Sequence, residues 1–240
     1  MINSIPRLLI FAVLTVGFNS CQLAGKVLFG IRSNVNWMEP EEIHSYFDKY
    51  DIPENQRYVL DTASYYNAEV LEYQKRIETS DSTQKMLYRK IVNDNLQMFQ
   101  IRFFDGDGQP IFKMVNCYID PPLPVSWNKH GSFDEFPPSI DFMHSGDGNK
   151  PLAHFLQHIH TLDQKSIAQK NLPESDYFAV VFVNDLMTRV GRRQMRTVTR
   201  YLKKHEDKNI HAFFVHNNNA EMWQLVKQNG IAPEEDSISE

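Results

Sequence analysis

The sequence predicts an α/β fold in which a βαβ unit and a hairpin contribute to one mixed sheet, with helices ahead of them. Three observations carry that prediction. Phe178-Ala179-Val180-Val181-Phe182-Val183 and Ile210-His211-Ala212-Phe213-Phe214-Val215 are short, nearly continuous apolar runs, the pattern of strands buried on both faces. Between them, Gly191 to His205 carries Met195, Val198 and Leu202 on one helical face, so the segment reads as the crossover that parallel strands require. Upstream, two β-rich runs flank Asp105-Gly106-Asp107-Gly108-Gln109, whose glycines and aspartates supply hairpin turn chemistry.

The other elements follow in order. Pro40 with Glu41 and Glu42 makes a first helical turn, since proline has no amide to satisfy and carboxylates favour the positive end of the dipole. Ile43, Phe47 and Tyr50 fall on its inner face. Tyr58-Val59-Leu60 reads as a strand, and Ala63 to Ile77 as a helix with Tyr65, Ala68 and Leu71 inward. The polar break Glu78-Thr79-Ser80-Asp81-Ser82 offers caps for a helix over Thr83 to Val92. The hairpin strands are expected at Met98 to Phe104 and Ile111 to Ile119. Their loop is not an EF-hand, because Pro110 and Asn116 stand where that loop wants Gly and Glu. Residues 120–150 form a long loop with Trp127, Phe133, Phe136 and Phe142 to pack it down. Pro151 opens a helix that buries Leu152, Phe155, Leu156, Ile159 and Leu162 at helical spacing. A short helix over Ala220 to Lys227 and an acidic tail follow the last strand.

The first residues are of another kind. A polar start with Arg7, an apolar run from Leu8 to Val16 and a small or polar ending make a secretory leader, too short to span the roughly 20 residues of a membrane helix. Phe18-Asn19-Ser20-Cys21 at its end resembles the lipobox of bacterial lipoproteins, although Phe18 and Asn19 depart from its commonest residues. The resemblance implies a lipid anchor on Cys21 and a periplasm-facing place in the cell envelope. Residues 1–20 are then the signal peptide, 21–36 a tether, 37–231 a single domain and 232–240 the acidic tail. Within the domain, 37–96 is mainly helical, 97–119 the hairpin, 120–150 the loop and 151–231 the βαβ part. If Cys21 carries lipid, Cys117 has no disulfide partner in the chain, so the core must hold the fold. Strand context and the lack of cations beyond Lys113 make Cys117 a packed thiol rather than a reactive one.

Between Tyr177 and Asn218 the βαβ unit looks like the core of thioredoxin-like proteins. In that family a Cys-x-x-Cys stands where the first strand gives way to its helix. The matching positions here are Met187, Thr188, Arg189 and Val190. Neither cysteine is present, so the resemblance implies a thioredoxin-like fold without thiol–disulfide exchange.

Two further signals concern binding. His154 and His158 are four residues apart and are expected on the polar side of the Pro151 helix, with His160 on the flank and His144 in the preceding loop; together they make the candidate site for zinc or copper. Arg189, Arg192, Arg193, Arg196, Arg200, Lys203 and Lys204 occupy one stripe of the 191–205 helix region, away from its apolar face. Such a stripe suits anionic headgroups or an acidic protein partner. The formal charge of -5 becomes -6 once Arg7 leaves with the leader, which gives no overall attraction to nucleic acid. No phosphate loop, zincin motif or Ser-His-Asp order is present. The reading is an envelope lipoprotein without an enzymatic role or cofactor, serving as an interaction or scaffold module. The alternative is a periplasmic metal-binding protein or metalloenzyme built on the histidines.

Overall fold

A computed structural model describes residues 38–115, 126–128, 130–139 and 149–218. Cys21 and the leader, Cys117, His144, the helix expected at 220–227 and the acidic tail lie outside them. The described residues form an α/β structure around a six-stranded mixed sheet.

Helix α1 spans Pro40–Asp48, strand β1 Arg57–Leu60, helix α2 Thr62–Glu78 and helix α3 Ser82–Asn95. The hairpin is β2 Gln100–Asp105 and β3 Pro110–Val115. Further along the chain come α4 Leu152–Leu156, β4 Ile159–Thr161, β5 Tyr177–Val183, α5 Thr188–Lys204 and β6 Ile210–His216. Across the sheet the order is β3-β2-β5-β6-β1-β4. The three strands β5, β6 and β1 are parallel, β2 and β4 flank them antiparallel, and β3 closes the hairpin edge.

Strand β5 shows why the run 178–183 reads as almost continuously apolar. Ala179, Val181 and Val183 pack on one side with α1 and α5, while Phe178, Val180 and Phe182 pack on the other with residues of α2 and α4. A central strand covered on both faces has no position left for a polar side chain. The hairpin turn is closed by Gly108 N donating to Asp105 O (2.9 Å) and Gln109 N donating to Asp105 Oδ1 (2.7 Å). Gly108 takes φ 78°, a conformation that favours glycine. Asp61 caps α2 by accepting from Ser64 N at 2.9 Å, and Asp81 with Gln84 forms a capping box at the start of α3. Trp127 is buried and its indole Nε1 donates to Val190 O at 3.2 Å.

Three expectations are corrected. The helix opened by Pro151 ends at Leu156, and Ile159–Thr161 is a strand paired with β1; the apolar spacing of 152, 155, 156, 159 and 162 fits a helix, yet pairing with the open edge of β1 outweighs that periodicity over so short a segment. In α2 the inward positions are Thr62, Tyr65, Tyr66 and Glu69, while Leu71 is 55% exposed and Ala68 only half-buried. The inner face is rotated because the helix packs through Tyr65 and Tyr66 rather than through its aliphatic residues. Tyr50 lies past the end of α1, whose buried residues are Ile43, Tyr46 and Phe47, but packs against the same core as they do.

Candidate functional site

Strand pairing gathers the polar interior of the protein at one end of the sheet. Leu60, Val183 and His216 end the three parallel strands there, and the antiparallel neighbours begin there at Gln100 and Ile159. In open α/β sheets this carboxyl edge is where ligands are usually held. Asn95, Gln100, His158, Asn184, Asp185, His216, Asn217 and Asn218 are all buried along it.

On the α2 side of this edge, Glu69 is 1% exposed. It accepts from Asn95 Nδ2 (2.8 Å) and is bonded to His154 Nε2 (2.7 Å). Burial pushes its carboxyl upward, but the bonds from His154 and Asn95 and the nearby positive charges outweigh this, leaving it below the usual glutamate range. Arg102 lies beside it at 2% exposure, reaching Asn95 Oδ1 (2.9 Å) and Gln100 Oε1 (2.7 Å) with its guanidinium 4.6 Å from the centre of the Phe155 ring. Lys113, 4.0 Å from Asp94, is pushed down to about 8, first by burial and then by the charge of Arg102.

The histidines are therefore not where the helical reading put them. His158 is buried, with its Nδ1 2.9 Å from Ser64 Oγ, and burial followed by the charge of His154 lowers its pKa. His154 is turned onto Glu69, its ring centre 5.6 Å from that of His158. His160 lies in β4, paired with Val59. Rather than facing solvent as a chelating pair, His154 and His158 are bonded to α2. Among the described residues no group of three His, Cys, Asp or Glu side chains is arranged to hold a metal ion.

On the α5 side, Gln194 is fully buried and its Nε2 donates to Gln100 O (2.9 Å) and Phe182 O (3.1 Å), tying the helix to two strands at once. His216 packs edge-on against Tyr46, ring centres 5.3 Å apart, with neither ring nitrogen bonded; burial pushes its pKa down to about 3. Met187 is the N-cap of α5, and Thr188, Arg189 and Val190 are its first turn. Those positions stand just past the end of β5, where Asn184 Oδ1 accepts from Leu186 N at 3.0 Å. None carries a group able to act as a nucleophile of thiol type.

Helix α5 turns its outer face to solvent. Val190, Gly191, Gln194, Met195, Val198 and Tyr201 are buried, whereas Arg189, Arg192, Arg193, Arg196, Arg200, Lys203 and Lys204 are all exposed. At about 100° per residue these seven cations fall within about 120° of arc opposite the packed side. No acidic residue occurs between Thr188 and Lys204. Arg196, Arg200 and Lys203 line one wall of an open groove of about 920 Å³; Tyr50 to Pro53 make the other, with Ile210, Ala212 and Phe214 between and Asp51 and Glu206 as its acids. Burial raises the Tyr50 hydroxyl, opposed by the charges of Arg192 and Arg196.

Sequence reading places the basic stripe but misses Glu69, Arg102, Gln194 and His216. Glu69 follows Tyr65 by one helical turn, so taking Tyr65 as the centre of the inner face would have found it. His216-Asn217-Asn218 is a polar run at the end of a buried strand, the position that marks a carboxyl edge. Compared with protein-family models, with curated proteins and with solved structures, the chain matches none of them.

Proposed function

We propose that the chain is a lipid-anchored interaction module of the cell envelope that performs no chemistry of its own and binds an anionic partner through the outer face of α5. The observation that carries the reading is the concentration of seven exposed cations, without an acid among them, on one helix of a chain whose net charge is negative. A face of that kind concentrates an oppositely charged partner and steers it. The absence of cysteine at 187–190 supports a non-catalytic role for a thioredoxin-like domain. Cys21, carrying lipid, supplies the attachment.

Intact-mass measurement of the protein purified from membranes tests the attachment: a diacylglyceryl adduct on Cys21 is expected, and an unmodified thiol removes the lipoprotein reading. A photo-crosslinking residue in place of Thr199, half-buried beside the groove, tests the binding face in intact envelopes. Adducts are expected that vanish when Arg196→Glu and Arg200→Glu are combined; adducts indifferent to that reversal sink the assignment.

A further inference from the structure

We propose that the partner of the α5 face is the anionic lipid surface of the membrane that carries the chain's own anchor. The proposal rests on the lipid-anchored reading and names the ligand of the same face. Two observations converge on it.

The first is charge. Arg192, Arg196, Arg200 and Lys203 pair with no carboxylate among the described residues, and the stripe runs for roughly 23 Å along the helix at about 1.5 Å per residue. The rest of the chain is more acidic than the total of -5 conveys. An anionic surface therefore attracts this side, over a distance of about 10 Å or less in physiological salt.

The second is the point of entry. Asn218 Nδ2 donates to Met38 O (3.1 Å), and Met38 N donates back to Asn218 Oδ1 (3.4 Å). This clasp fixes the start of the described chain beside the end of β6, at the edge where α5 begins. Helix α1 leads on from Met38 and shares a core cluster with α5, through Tyr46 and Phe47 on one and Met195 and Val198 on the other. Met38 thus lies on the layer that bears the cations. The residues from Gln22 to Trp37 reach at most about 55 Å by covalent geometry, so an anchor on Cys21 holds the domain within that distance of the membrane.

The test uses the lipidated full-length protein, its Cys21 adduct first verified by mass, reconstituted into vesicles of phosphatidylcholine alone or with phosphatidylglycerol added. An unmodified Cys21 at the first step removes the underlying reading; the lipid step is read only from modified protein. Amine labelling is then quantified by mass spectrometry at Lys203 and, as a reference beyond β4, at Lys165. Labelling of Lys203 is expected to fall about fivefold or more in the anionic vesicles, to recover in high salt and to recover in the Arg196→Glu/Arg200→Glu variant, with Lys165 unchanged. Equal labelling of Lys203 in both vesicle types overturns the proposal. So does protection that appears only when envelope proteins are added, which would assign the face to an acidic protein.

Discussion

His154 Nε2 lies 2.7 Å from Glu69 Oε1, joining α4 to α2 through a carboxylate that is almost wholly buried. Asn95 links the pair to Arg102, its Nδ2 donating to Glu69 and its Oδ1 accepting from the guanidinium. Because the folded Glu69 has a lowered pKa, its contribution is complete above the unfolded value of about 4.3 and is lost as pH falls through the folded one. Replacing Glu69→Gln should cost about 2 kcal/mol at neutral pH, with a smaller penalty in acid. Urea unfolding at pH 7 and pH 4 measures both; an equal loss at the two pH values would contradict the account.

His216 is a base that the fold holds neutral. Its folded pKa of about 3 lies below the unfolded value of about 6.5, so the unfolded chain binds the extra proton first. Stability should therefore fall by about 1.4 kcal/mol for each pH unit below 6.5 on account of this residue alone. His216→Leu should remove that slope and leave what comes from His158 and His211, whose pKa values burial also lowers. Chemical unfolding between pH 7.5 and 4.5, at half-unit steps, is the measurement.

Arg102 is expected to be among the most sensitive positions. Arg102→Ala strips partners from Asn95 Oδ1 and Gln100 Oε1 and leaves a void against Phe155, a combined loss of about 3 kcal/mol. A change in unfolding midpoint below a third of that would mean that water or neighbouring side chains replace it.

Gly191 allows α5 to approach the sheet. A methyl group there would stand 3.0 Å from Phe99 Cε1 and 3.1 Å from the carbonyl oxygen of Asn184. The backbone atom cannot swing aside, so Gly191→Ala should destabilise by about 1–3 kcal/mol despite alanine's better helix propensity. A thermal melt that shifts upward would disprove the close approach.

The basic stripe should behave in the opposite way. Arg196 and Arg200 are exposed and form no ion pair among the described residues, so reversing both charges should alter stability by no more than about 0.5 kcal/mol. Circular dichroism melts of the double variant then establish that any loss of binding is not a loss of fold.

The legible and illegible parts of the chain differ in physical kind. The β5–α5–β6 unit is legible because each strand is buried on both faces and the helix separates apolar from charged residues by half a turn. The outward cations of α5 are legible for the same reason. Strand β4 is not, since three residues hold no period of their own and their state is set by β1. The polar cluster is hidden because its members come from α2, α3, β2 and α4, and no spacing along the chain reports that they meet. His158 looks like a solvent-facing residue until the early end of α4 turns it toward Ser64.

Strand β1 has a consequence for the order of events in folding. Both of its neighbours, β4 and β6, come from beyond residue 158, whereas the α2–α3 pair and the β2–β3 hairpin need only nearby residues. Local pieces can form within microseconds, but β1 must wait until distant chain has been brought back to it. Until β6 is in place, β1 has no parallel partner and Tyr58 and Leu60 lack the neighbours that bury them. For a chain delivered from its N-terminus, the first strand of the sheet is among the last to be secured, and the interval before β6 arrives is when its apolar side chains are most open to unwanted association.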